Sequence, residues 1–387
     1  MSQAVDTPEG KLILDSHKLS WPMDRVHAWE AGERIAPVSV DMSLTRACGA
    51  MCVFFYTMMQ ESQNRNSIKV KKALELVDGF ARIGVRSVSL VSDGESTLSP
   101  AYVPVIEHAA QLGIDVGNAT NAWEWEPEKI EQVLPNLTWV RFTVAAGRPD
   151  RYAALMYKGP EHTYVFNRAM RHIRHAVELK KRLNLKVTLS IQMVLMPDLK
   201  DEIIPFAQLG IDLGVDYAVI KHCSDDEYGS LGIDYRGYES LHDRLIQAEV
   251  MSTDKTKIIV KWDKIKDGDK PSYKRFYGPQ FLLQISGSGL VAPSGMFFNA
   301  RYSKLQVGNF TEEKFFNLWR SDRYWRAVDY LAYPYFDAQT MMGTLPIQHY
   351  VSVALDRHAT GTERLVPGTG EIPLHHNFCD GCTSFTC

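Results

Sequence analysis

The chain has 387 residues, 45% of them apolar and 23% charged, with a formal net charge of -3. That describes an ordinary globular protein and gives no reason to expect nucleic acid or an anionic membrane as a partner. Residues 1–20 hold no apolar run of the signal-peptide kind, and no stretch approaches a membrane span, so a cytoplasmic protein is expected. In chain order, residues 37–44 are strand-like and residues 87–91 form a short β-branched run. Residues 102–112 suit a helix, 114–117 a short strand, and 127–134 a helix with Pro127 in its first turn. A strand is expected over 139–144, a long basic helix over 164–183, a strong strand over 186–195, a helix over 202–213 and a strand over 217–221. This alternation predicts parallel pairing through right-handed crossovers. It suits an α/β fold, an open, partial (β/α)6 TIM-like barrel over residues 37–235, preceded by an N-terminal extension over residues 1–36. Chemistry in such a barrel sits at the carboxyl ends of the strands. Residues 236–275 are polar and lysine-rich and read as a bridge. The pattern then changes to short strands at 281–285, 289–291 and 296–298, a helix over 312–330 and a loop-rich tail. Residues 276–387 are therefore expected to form a smaller α+β domain.

Five of the six cysteines fall in two tight groups: Cys48 and Cys52 near one end, and Cys379, Cys382 and Cys387 at the other. In a reducing compartment such clustering favours metal binding over disulfides. The first pair sits in Cys48-Gly49-Ala50-Met51-Cys52-Val53-Phe54-Phe55, directly after the first barrel strand. On its own the pair is equally compatible with two buried small hydrophobes. Further polar residues punctuate the strand ends: Ser92-Asp93-Gly94-Glu95-Ser96, Asn118-Ala119-Thr120-Asn121, Thr143 and Gln192. Each alone has a plain reading, Glu95 as a solvated loop acid and Gln192 as a residue bonded within the barrel.

Taken in order, these segments resemble the radical S-adenosylmethionine (radical SAM) family. The first resembles its Cys-x3-Cys-x-aromatic-Cys loop, with Phe55 where the third cysteine belongs. The second resembles its Gly-Gly-Glu-Pro loop, with Asp93 and Ser96 replacing a glycine and the proline. The resemblance implies a 4Fe-4S cluster on Cys48 and Cys52 and SAM bound by Phe54, Gly94, Glu95, Asn118, Thr120, Thr143 and Gln192. It implies a deoxyadenosyl radical that abstracts hydrogen from a peptide, protein or small-molecule substrate, and a reductase such as flavodoxin or ferredoxin as electron donor. A phenyl ring cannot ligate iron, so Phe55 is expected to leave the cluster weakly held. A non-catalytic SAM-binding or partner-binding relative is the alternative. Cys223, after the sixth strand, is a candidate hydrogen-atom donor or a buried inert thiol.

Residues 276–387 resemble the auxiliary-cluster (SPASM or twitch) domain of that family. Gly289, Gly308, Asn309 and Trp319 match, whereas Phe276 and Ser294 stand where cysteines belong. The tail Cys379, Cys382 and Cys387 resembles the closing cysteine group and implies an auxiliary iron–sulfur cluster. Together with His375 and His376 the same cysteines suit a zinc site instead, on a barrel protein of another kind.

Overall fold

A computed structural model describes residues 4–7, 10–13, 19–55, 67–157, 159–268, 271–343 and 348–367. Strands β1 (Ala4–Thr7) and β2 (Gly10–Ile13) form a separate antiparallel hairpin. The main sheet is built from β3 (Ser39–Met42), β4 (Ser87–Leu90), β5 (Asp115–Thr120), β6 (Trp139–Thr143), β7 (Thr188–Leu195), β8 (Tyr217–His222) and β9 (Lys257–Val260). These lie side by side in chain order, every pair parallel. Strand β10 (Leu282–Ile285) returns to the opposite edge and pairs in parallel with β3; β11 (Leu290–Ala292) and β12 (Gly308–Asn309) extend that edge antiparallel. The sheet is open, with β12 and β9 at its ends. The architecture is thus an α/β partial barrel. No helix among the described residues is long and apolar enough to cross a membrane.

Two polarity patterns explain why this sheet forms. Val40 and Met42, Val88 and Leu90, Val140 and Phe142, and Ile191 and Met193 share one apolar core with the helix faces. The helix Val70–Ile83 buries Leu76, Val77 and Phe80 against it, at helical spacing, and stops at Gly84 in the left-handed region. The helix Thr163–Leu183 buries Val165, Ala169, Met170, Ile173 and Val177, and its last turn carries Lys180, Lys181 and Arg182. The strand residues in between point to the other face, because strand side chains alternate. By register these are Ser39 and Asp41, Ser87 and Ser89, Arg141 and Thr143, and Ser190 and Gln192, all buried. A closed barrel normally fills that interior with branched apolar residues. Here much of it is polar, as suits a wall facing a ligand, although Trp139, Tyr217, Val219 and Leu282 share the same face by register.

The carboxyl-terminal third departs from the expected pattern in several places. Residues 257–260, inside the stretch read as a bridge, supply β9. The expected strand over 296–298 is instead a 3-10 turn, Gly295–Phe298. Tertiary packing overrides β propensity there: Met296, Phe297 and Phe298 are all buried in a second apolar cluster with Phe276, Phe281 and Leu282. The single helix expected over 312–330 is two, Phe315–Arg320 and Asp322–Ala332. Ser321 between them is extended, and its hydroxyl accepts from Tyr324 N at 3.2 Å, capping the second helix. The tail expected to be loop-rich contains the buried helix His349–Ala359. Its Ser352 hydroxyl accepts from Gly278 N, and Gln348 just before it donates to Leu282 and Pro293 carbonyls.

Candidate active site

The loop leaving β3 carries Cys48, Cys52 and Phe55. Its first turn is pinched between two glycines. A Cβ on Gly94, whose φ is +146°, would lie 2.0 Å from Thr45 O; one on Gly287 would lie 2.3 Å from Thr45 C. Neither position accepts a larger residue without moving the loop. Farther on, Met51 N donates to Met156 O at 2.7 Å and Val53 N to Leu155 O at 2.9 Å, hooking the loop to the helix Pro149–Tyr157. Gly49 N donates to Glu124 Oε2 at 3.1 Å.

Cys48, Cys52 and Phe55 from the loop after β3 line a cleft at the carboxyl ends of the strands, together with Gly94, Glu95, Thr120, Asn121 and Thr143 from the strand ends and loops of β4, β5 and β6. The accessible space between them is only about 20 Å³, roughly the room of one water.

Glu95 is buried, not a solvated loop acid. Its Oε1 accepts from Thr97 Oγ1 at 2.7 Å and from Thr97 N at 3.3 Å, and its Oε2 accepts from Asn121 N at 2.8 Å. Burial, with a smaller push from Glu124, raises its carboxyl to about 7, against the pull of the Asn121 and Thr97 donors. Glu95 therefore changes charge near neutrality and ties the loops after β4 and β5 together. Gln192 is fully buried beside Thr143, its partner in register, and neither its amide oxygen nor its nitrogen has a hydrogen-bond partner. A buried amide left so is costly unless something polar meets it.

Other expected residues lie elsewhere. Asn118 pairs in register with Leu90 and Val140, so it faces the helix side and not the barrel interior; its amide is buried without a partner. Phe54 is a core aromatic. Only its carbonyl is near a candidate group, accepting from Cys223 Sγ at 3.8 Å. Cys223 is fully buried and not among the residues lining the cleft, and burial pushes its thiol up to about 12, so it keeps its S–H proton at neutral pH. Phe276 stacks on Tyr273 with ring centroids 5.3 Å apart, and Ser294 Oγ lies 3.4 Å from Gln284 Oε1. Both are packing residues. Cys379, Cys382, Cys387, His375 and His376 lie outside the described residues.

Three participants were not among the expected site residues. Asn121 Nδ2 donates to Glu124 Oε2 at 2.8 Å and lies 3.9 Å from Cys48 Sγ. Glu124 joins the cysteine loop through Gly49. Ala122, at φ +62°, is held in the left-handed region by Thr120 Oγ1 accepting from its N–H and His172 Nδ1 contacting its carbonyl. The Asn-Ala-Thr-Asn run pointed to this turn, but not to which side chain reaches the thiol.

Comparison with solved structures identifies the fold. SuiB of Streptococcus suis bound to S-adenosylmethionine superposes with a TM-score of 0.59 at 15% identity, over 79% of this chain and 71% of that one. SuiB bound to its precursor peptide SuiA gives 0.58 at 16%, over 81% and 71%. anSMEcpe with bound AdoMet and the Kp18Cys peptide gives 0.55 at 14%, over 89% and 94%. No protein-family model and no curated protein sequence matches the chain. The chain has the radical SAM fold.

The groups implied by that fold fit unequally. Glu95, Thr143 and the unpartnered Gln192 amide suit a polar, cationic ligand such as SAM. A three-thiolate iron cluster does not fit the described residues. Phe55 stands at the third cysteine position of the resembled loop, and among the described residues no group of three or more His, Cys, Asp or Glu is arranged to hold a metal ion.

Proposed function

We propose that this chain is a SAM-binding protein of the radical SAM type whose metal site is one ligand short. The observation that carries the reading is the convergence of Cys48, Cys52, Glu95 and Thr143 on one cleft at the strand carboxyl ends. In this reading Glu95, when ionised, receives the ligand's ammonium group. Thr143 receives its carboxylate, and the Gln192 amide, which can both donate and accept, meets the ribose hydroxyls. The substrate is a peptide, a protein side chain or a small metabolite entering at the cleft mouth. The peptides bound to SuiB and anSMEcpe favour the first of these. Phe55 deprives the site of the thiolate that a stable cluster needs. Radical chemistry, and with it a flavodoxin or ferredoxin donor, is therefore not assigned to the chain as it stands.

The test combines equilibrium dialysis against labelled SAM with iron and sulfide counting after anaerobic reconstitution. The expected result is SAM binding with iron well below four per chain, since a complete cubane needs a full ligand set. A stable four-iron complement together with deoxyadenosine formation under reduction would overturn the short-ligand reading. Absence of SAM binding would overturn the function itself.

A further inference from the structure

Two departures from the resembled Gly-Gly-Glu-Pro loop lead to one place. Asp93 and Ser96 both reach the segment that feeds the cysteine loop. Ser96 Oγ accepts from Leu44 N at 3.2 Å and lies 3.2 Å from Ser43 Oγ. Asp93 is buried, and its Oδ2 meets Arg46 Nε at 3.0 Å and accepts from Ser286 Oγ at 2.6 Å. Its Oδ1 accepts from Gly287 N at 2.8 Å and Ser92 Oγ at 3.2 Å. One carboxylate thus joins three distant segments: the exit of β3, the loop after β4 and the turn between β10 and β11. The backbone at Thr45 and Arg46 is pressed between Gly94 and Gly287, so a shift of either neighbour moves the loop.

A metal staples the loop that ligates it, because each ligand bond fixes a backbone position and binding energy becomes folding energy. This loop lacks one such bond, yet protein groups grip it from both sides. We propose that Asp93 is a positioning residue that holds the Cys48 and Cys52 loop in its site-forming arrangement without iron, through Arg46, Ser286 and Gly287. The cleft is then assembled only when the β10–β11 turn is in place. A buried carboxylate with this many partners is costly to remove, because its partners are left unpaired in the interior.

The experiment uses the full chain treated with chelator. Alkylation of Cys48 and Cys52 by iodoacetamide is followed site by site with mass spectrometry. In D93A both thiols are expected to react roughly tenfold faster, as local opening becomes easier. D93N keeps an acceptor for Gly287 N but loses the charge facing Arg46, and falls between D93A and wild type. V260A, cut into the buried edge strand β9, lowers thermal stability but is expected to change alkylation by less than about twofold, because distant sites act independently. S286A removes one donor from the same carboxylate and is expected to speed alkylation about threefold, which keeps the test decisive if D93A does not fold. Folded D93A and S286A both within twofold of wild type, or V260A matching D93A, overturns the proposal. A second readout, SAM affinity, rests on the proposed function and is expected to fall in D93A. If wild type binds no SAM, that function fails while the alkylation result still decides the role of Asp93.

Discussion

The two walls of the cleft have diverged. The wall built from the loops after β4, β5 and β6 keeps an acid, a glycine that nothing can replace and hydroxyls at the strand ends. The wall built from the cysteine loop keeps two thiols and adds the buried phenyl ring of Phe55. In the proposed function the first wall would bind the ligand by hydrogen bonds and charge, and the second is where a metal would sit. On that proposal, ligand recognition and metal binding are separable on this scaffold. The geometry of the cysteine loop survives without a full ligand set because its neighbours, not a metal, define it.

Four substitutions break or sharpen that contrast. The largest effect is expected from G94A, which puts a methyl 2.0 Å from Thr45 O at a φ of +146° and so damages both walls at once. It should cost about 3 kcal/mol or more and abolish SAM binding, read by thermal unfolding and dialysis. F55C acts on one wall alone. Iron after anaerobic reconstitution should rise toward about four per chain, with the thiolate-to-iron absorbance appearing alongside. Unchanged iron in folded F55C would mean that some other feature excludes the cluster.

Glu95 supplies a pH test of the opposite wall. Its carboxyl is raised to about 7, chiefly by burial, so between the ordinary carboxylate range and 7 the native state holds a proton that the unfolded state has released. Its contribution to stability is therefore full at low pH and lost as pH rises to about 7. Binding of a cationic ligand runs the other way and should tighten as pH rises through 7. In E95Q both trends should flatten, and affinity at pH 8 should fall about tenfold, consistent with loss of a charge-assisted bond. The smallest effect is reserved for a control. S321A removes the cap on the helix Asp322–Ala332, far from the cleft, and should cost about 1 kcal/mol while leaving SAM binding unchanged.

Much of the barrel was readable from residues. The strands and most helices between residues 87 and 222 fall within a few positions of the elements expected from β-branched runs, helical spacing and Pro127. The helix Val70–Ile83 and strand β9 were not anticipated, because both sit in lysine-rich stretches whose apolar positions matter only once the sheet provides a face. Glu95 and Thr143 could be placed near the cleft from their positions after strands. The outward face of Asn118 could not, since a register of one residue decides it and only pairing with Leu90 and Val140 sets that register. Likewise nothing local in Ser92-Asp93-Gly94 announces a partner at Ser286. That contact depends on β10 returning to β3.

This return has a consequence for biosynthesis. Strand β3 is made early, but its parallel neighbour on one side, residues 282–285, emerges from the ribosome only after the other seven members of the parallel set. Pairings between segments so distant in sequence close slowly, and until they do β3 presents an open edge to other chains. A nascent or truncated polypeptide ending before Leu282 should therefore be aggregation-prone, and the cleft cannot be completed until Leu282–Ile285 has been synthesised.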